Sequence, residues 1–376
     1  MVIKSLVARL KAIIYSSYVF FKTHIVVCLR WRGRVSIDGG CRVSYGHDKI
    51  PGKGEKASGG IIKCQDLQKK FPNNRNGANL LYLVSSALPP YSGFLVRNAK
   101  KSGAKLIVNQ NGVAIPAYHE NTEIINKPRR FLLQQADHVV YQSEYCKVSS
   151  DKYLTTEVKN YSILHNPVDV RFFLPEKNKS LSTTPILLMT GSHHFFYRVA
   201  TGVELVSVLK RRGVNVKLRI YGRLAWKSSV DECYQELMTL CREQGVENMV
   251  EVGKPYRQID APRIYQSADI MIHTKYKDPC PRAVVEAMAC GLPVIYSDSG
   301  GVPELVGSEA GIGVFAPVDW EKVHPPEPEK MADAVIAVLS TYGVYSSAAR
   351  CRAEESLDVQ QWLEAHRLIF ETVLAQ

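Results

Sequence analysis

The chain has 376 residues, 45% hydrophobic and 22% charged, which is enough for two domains with full cores and is the composition of an ordinary globular protein. Its formal net charge of +12 favours anionic partners such as nucleotides or an anionic lipid surface. No zinc-finger, RNP or other nucleic-acid module occurs, so no nucleic-acid partner is expected.

Residues 1–34 begin with Lys4, Arg9, Lys11 and Lys22 set among Val2, Ile3, Leu6, Val7, Leu10, Ile13 and Ile14. The uncharged run Ala12–Phe21 is ten residues, too short to span a bilayer. No small-x-small cleavage site follows it. The pattern fits a basic amphipathic helix in peripheral contact with an anionic membrane, or a helix packed on the protein's own core. Strand-like and helix-like stretches then alternate. Arg34–Tyr45 reads as strand, Gly60–Phe71 as helix, Asn79–Ser85 as strand, Tyr91–Ser102 as helix and Lys105–Val108 as strand. Glu120–Gln135 reads as helix, His138–Tyr141 as strand, Glu144–Tyr153 as helix and Ser162–Leu164 as a short strand.

A polar linker within 171–184 separates this set from a second one. There the strands are Pro185–Thr190, Val216–Tyr221, Val250–Val252, Ile270–Thr274, Pro293–Ser297 and Gly313–Ala316. The helices are Ala200–Arg211, Ser229–Gln244, Ala261–Gln266 and Glu329–Leu339. A last apolar-periodic helix covers about Val359–Ala375. Strands alternating with helices predict an α/β class with parallel sheets. The expected units are 35–170, 185–355 and a C-terminal helix within 356–376. The nine cysteines form no C-x-x-C pair, which suits a reducing, cytoplasmic setting.

The segment from Asp278 to Pro293 places Asp278-Pro-Cys-Pro-Arg before Ala-Val-Val-Glu286-Ala-Met-Ala and ends on Gly291-Leu-Pro. It reads as an acidic loop, a helix N-terminus, a short buried helix and a stop. Pro281 suits the helix start and Gly291 its end. A helix N-terminus beside free amides is an anion site, so the segment suits a phosphate-bearing ligand. It resembles the E-x7-E signature of retaining GT-B glycosyltransferases of family 4, with Asp278 where that family usually has Glu. Ser297-Asp-Ser-Gly300-Gly301-Val-Pro-Glu304 resembles the Gly-Gly-x-x-Glu continuation, and Ile163-Leu-His-Asn166-Pro-Val-Asp169 the hinge motif.

The resemblance implies a GT-B fold, in which two doubly wound Rossmann-like domains face a central cleft and the C-terminal helix packs back on the first domain. It implies a metal-independent transferase moving a sugar from a nucleotide-sugar donor, UDP- or GDP-linked, to a glycan or lipid-linked acceptor. Cell-surface polysaccharide or glycolipid synthesis is the expected setting. Glu286 would hold the ribose, and Asp278 the sugar or the loop. Arg198 would face the diphosphate, with Lys254, Lys275 or Arg223 as a second cation. The amides of Cys280, Arg282, Ala283 and Val284 would face phosphate or sugar. Gly59 and Gly60 resemble the family's glycine-rich loop. Asn111 stands where many members carry a His, and His119 is a substitute to consider. The alternatives are a GT-B epimerase or sugar-phosphate synthase, and a non-catalytic nucleotide-sugar-binding partner subunit.

Overall fold

The computed structural model describes residues 19–21, 23–36, 40–52, 54–55, 57, 59–177 and 179–376. The basic stretch before residue 19, part of the expected Arg34–Tyr45 strand and Ser58 lie outside them. Residues 19–21 and 23–30 are helical and form α1. The first domain then alternates β1 (Val43–Ser44), α2 (Gly59–Leu67), β2 (Leu80–Val84), α3 (Ser92–Lys101), β3 (Lys105–Gln110), α4 (Thr122–Gln135), β4 (His138–Tyr141), α5 (Glu144–Leu154) and β5 (Tyr161–Ile163). The expected strand from Arg34 shortens to the two residues of β1, because residues 34–36 make no ladder.

The five strands pair in parallel in sequence order. Both faces are buried, so β2 reads as an uninterrupted apolar run, Leu-Leu-Tyr-Leu-Val. Its Leu81 and Leu83 pack with α3, α4, α5, Val27 of α1 and Trp31. Its Leu80, Tyr82 and Val84 pack with Cys64 and Leu67 of α2 and with a C-terminal helix, α13 (Val359–Ala375), through Trp362, Leu363 and Phe370. Helices α2 and α3 therefore lie on opposite faces, although both connections step the same way across the sheet. The β1–α2–β2 crossover has the opposite hand to the next one, whereas such crossovers normally share one hand. This topology puts α2 directly over the C-terminal ends of β3 and β4.

The second domain runs β6 (Ile186–Met189), β7 (Ser192–His193), α6 (Phe196–Arg211), β8 (Lys217–Ile220), β9 (Arg223–Leu224), α7 (Val230–Glu243), β10 (Val250–Val252), α8 (Ala261–Gln266), β11 (Ile270–His273), α9 (Arg282–Ala289), β12 (Val294–Asp298), α10 (Val302–Val306), β13 (Gly311–Phe315), α11 (Pro328–Ser340) and α12 (Tyr342–Ser356). Its parallel sheet has the order β10-β8-β6-β11-β12-β13. The chain winds outward in one direction from β6 and in the other from β11. A crevice opens at the C-terminal ends of those two strands, the usual place for a ligand in such a sheet. The loops after β6 and β11 carry Arg198 and Asp278 to that crevice.

Helix α12 is absent from the sequence expectation. Beyond Tyr342 at its start it buries only small side chains, Ala349 and Ala353, the pair that packs into the core under α9. Its Arg350 donates to the carbonyls of Val170, Phe173 and Ala289. A face of alanines gives little apolar period to read, and that arginine caps carbonyls of two separate segments.

Candidate active site

Helix α9 begins where Pro281, at φ −73° and ψ 123°, leaves the helix region, so Arg282 is its first residue. It ends in a left-handed Gly291 at φ +77°. There Gly291 N donates to Met288 O at 2.9 Å and Leu292 N to Ala287 O at 3.0 Å, which closes the orphan carbonyls. At the other end, Val284 N is engaged by Pro281 O at 3.2 Å. Val284 therefore drops out of the expected set of open amides. Those of Cys280, Arg282 and Ala283 have no acceptor among the described residues.

The loop before α9 is held close to the backbone that follows β12. A Cβ on Gly300 would stand 2.4 Å from Asp278 O, and one on Gly301 would stand 2.1 Å from Pro279 O. The Gly-Gly pair is thus required by chain passing against chain. Lys277, at φ +50°, is a strained non-glycine residue inside the same loop. Its ammonium lies 3.6 Å from the Trp320 ring centroid, with Tyr145 and Tyr276 beside it.

Asp278 is the centre of a charged cluster. Its Oδ2 lies 3.2 Å from His273 Nε2 and 3.3 Å from Lys275 Nζ. Burial alone would raise its carboxyl, but Lys275, His273 and Arg198 outweigh burial and hold it well below the usual range. Arg198 is buried on the first turn of α6, and its Nη1 donates to Ser192 O at 2.8 Å. Among the described residues its Nε has no partner, and neither do the buried Nδ1 atoms of His193 and His273. Burial, reinforced by Arg198, lowers the His193 pKa to about 3, so that ring is neutral. A buried guanidinium short of an acceptor beside a carboxylate is unusual in a folded interior and points to a polar ligand.

Glu286, one turn into α9, is buried and accepts from Tyr265 Oη at 3.0 Å. Its Oε1 lies 3.7 Å from Arg282 Nε, and Arg282 Nη1 lies 3.2 Å from Asp66 Oδ2 of α2. Burial raises the Glu286 carboxyl, against the opposing pull of Arg282 and Tyr265. Asp66, which the sequence did not single out, therefore ties the first domain to the α9 helix.

Other expected residues are placed differently. Lys275 is committed to Asp278. Lys254 and Arg223 are exposed, and no partner draws Lys254 toward the cluster. His119 is exposed as well, so it does not replace the imidazole missing at Asn111. Gly59 is open, with nothing within 4 Å of an added Cβ, whereas Gly60 is packed 2.6 Å from Ser86 Oγ on the same measure. The Cys280 thiol is buried, accepts from Asn166 N at 3.2 Å and is pushed up to about 12 by burial. It is inert packing between hinge and loop.

The first domain closes over this loop. Ser143 Oγ donates to Pro279 O at 2.8 Å, and Tyr118 Oη donates to Tyr276 O at 2.6 Å. Glu304 of α10 accepts from Glu144 N at 2.7 Å and Tyr145 N at 2.9 Å, the opening amides of α5.

The family model described as "Glycosyl transferases group 1" matches residues 170–354. Among curated relatives, the phosphatidylinositol N-acetylglucosaminyltransferase gpi3 subunit of Schizosaccharomyces pombe is 19% identical over 64% of this chain, and the match covers 49% of that protein. Protein CapJ of Staphylococcus aureus is 24% identical over 63% of this chain and 59% of its own length. The chain thus spans about half the length of the first and rather more of the second. Among solved structures, HepE of Anabaena in complex with UDP-glucose superposes with a TM-score of 0.62 at 17% identity, covering 80% of this chain and 79% of HepE. That likeness establishes the fold, two Rossmann-like domains in the GT-B arrangement. The second domain, residues 170–354, thus carries the group 1 glycosyl transferase sequence pattern on a chain with the GT-B fold.

Proposed function

We propose that the protein transfers a sugar, with retention, from a UDP- or GDP-linked donor to a glycan or lipid-linked acceptor. The observation that carries this reading is the buried Arg198 beside the Asp278 carboxylate at the crevice, its Nε without a partner among the described residues. A sugar diphosphate would bring acceptor oxygens to the Arg198 guanidinium. Arg198 and the open amides of Cys280, Arg282 and Ala283 would neutralise the departing diphosphate, a task fixed donors perform in a water-excluded cleft without a metal. Glu286 would hold the ribose hydroxyls beside Tyr265, and Asp278 the sugar. HepE, solved with UDP-glucose, supports a nucleotide-sugar donor on this fold.

The acceptor would enter past the first domain, in cell-surface polysaccharide or glycolipid synthesis. Helix α1 supports a membrane-bound setting on the cytoplasmic face. Its Phe21, Ile25 and Leu29 recur every four residues and are 63%, 59% and 63% exposed. Val27 packs inward on the first domain, so one side of the helix is anchored and the other is an apolar stripe. The exposed Arg32 and Arg34 follow it. Among the described residues, no helix is long and apolar enough to cross a membrane.

The test is thermal stabilisation of the full chain by UDP-, GDP-, ADP- and dTDP-sugars. One nucleotide class should raise the melting temperature, by an amount equivalent to about 2.7 kcal/mol at a hundredfold excess over Kd. Glu286→Ala should abolish the rise. A folded protein that none of the four donors stabilises would overturn the reading.

A further inference from the structure

Lys63 is the buried ionisable group that neither the signature nor the reading above employs. It lies on α2 and is 2% exposed. Its Nζ donates to Asn109 Oδ1 at 2.7 Å and to Gln142 Oε1 at 2.5 Å. The Asn111 oxygen lies 3.1 Å away in the amide orientation that satisfies both ends of that group. All three acceptors are neutral amides, and they stand at the C-terminal ends of β3 and β4. No carboxylate is within ion-pair distance of Lys63 among the described residues. An ammonium taken out of water recovers only part of its hydration from amide dipoles. Stability alone does not explain keeping one there.

Its surroundings face the cleft. Gly112, next to Asn111, comes so near the signature loop that an added Cβ would stand 2.5 Å from Pro279 Cγ. The charged or titratable groups whose fields reach Lys63 include Cys64 on its own helix, Cys146 on α5, Cys280 in the loop, Arg282 on α9 and His366 on α13. Burial pushes the three thiols up to about 11 or 12, so they are neutral. Burial likewise holds His366 neutral, with its pKa lowered to about 3. Arg282 is a second cation and already faces Asp66 and Glu286. The positive charge of Lys63 thus faces neutral amides, neutral thiols and a second cation, with no carboxylate in ion-pair reach among the described residues.

We propose that Lys63 is a positioning residue for the diphosphate end of the donor, fixing the Asn111 and Gln142 amides at the cleft and holding behind them a positive charge that the ligand completes. This rests on the nucleotide-sugar reading. It moves the first domain's charge from the strand end, where Asn111 stands, to the neighbouring helix. It also supplies from the first domain the second cation that Lys254 and Lys275 do not provide.

The test is calorimetric titration of the full chain with UDP and GDP, and with uridine and guanosine, between pH 7 and 9. It compares wild type, Lys63→Met and Lys63→Arg. Lys63→Met should weaken binding of the preferred nucleoside diphosphate at least tenfold at pH 7 and change nucleoside binding less than twofold. Burial lowers the lysine pKa to about 8. Wild-type affinity for the diphosphate should therefore fall, relative to the Lys63→Met profile, as pH rises through about 8, and Lys63→Arg should show no such fall. Lys63→Met that matches wild type in affinity and pH profile would overturn the proposal, as would equal losses for diphosphate and nucleoside. Should Lys63→Met fail to fold, a wild-type profile parallel to that of Lys63→Arg overturns it. A wild type that binds neither UDP nor GDP refutes the functional reading itself, before any variant is considered.

Discussion

Glu304→Ala is the perturbation whose cost is most directly worked from the structure. The Glu304 carboxylate crosses from α10 to the N-terminus of α5, accepting from Glu144 N at 2.7 Å and Tyr145 N at 2.9 Å. His165 Nε2 adds a contact at 3.3 Å. Two charge-assisted caps at about 1 kcal/mol each, plus about 0.5–1 kcal/mol from the helix dipole, give about 2.5–3 kcal/mol. The lower end applies because Glu144 is exposed and water can replace part of the loss. For a chain this long, that corresponds to about 3 °C in Tm. Burial would raise the Glu304 carboxyl, but His165 and the two amides hold it below its ordinary value. The folded form therefore releases this proton more readily than the unfolded chain. The stabilisation is fully present above the unfolded pKa of about 4.3 and is lost as pH falls through the lower folded value. Urea titrations of wild type and Glu304→Ala at pH 7 and at steps below pH 4.3 should show the gap shrinking with acid. A gap under about 0.5 kcal/mol at pH 7, which is ordinary for a surface substitution, would refute the argument. So would a gap that grows on acidification.

Three further outcomes follow from particular contacts. Gly60→Ala should cost about 1–3 kcal/mol, because the new methyl meets Ser86 and Ala87, whereas Gly59→Ala should be neutral or stabilising by up to about 1 kcal/mol; paired melting curves check this. Trp320→Ala removes the ring beneath Lys277 and loosens the strand of contact made by Ala117 N to Trp320 O at 2.9 Å. It should cost about 2–4 kcal/mol and speed proteolysis of the 276–281 loop, with Trp320→Phe losing less than half as much; equal cleavage rates would contradict the contact's role. His366, fully buried between Tyr82 Oη and Trp362 O, is held neutral by burial to about pH 3. The unfolded chain takes up this proton near pH 6.5 while the folded one does not, so stability falls as pH drops below 6.5 by about 1.4 kcal/mol per unit. His366→Phe should flatten that slope between pH 6 and 4 by one proton, whatever its effect on absolute stability.

Much of this protein is written locally in its sequence. Apolar runs of strand length, such as Leu80–Val84 and Ile270–His273, give parallel strands because both faces of each sheet are covered. Pro281 and Gly291 bound α9 because one tolerates a helix start and the other a left-handed exit. The spacing from Asp278 to Glu286 then sets a carboxylate in the loop and another on the helix. These signals act over a few residues, which is why a single sequence carries them. The tertiary structure decided the rest. Nothing around Lys63 in Gly-Gly-Ile-Ile-Lys-Cys marks it as buried, because its partners arrive from β3 and β4, 46 and 79 positions away. Glu304 meets amides 160 positions earlier. Helix α12 hides behind alanines, and the reversed β1–α2–β2 crossover follows from α2 packing beside α13 on the face opposite α3. A charge on the chain has a sign from its residue type alone, but its partner, its hydration and hence its function exist only once distant strands and helices have closed around it.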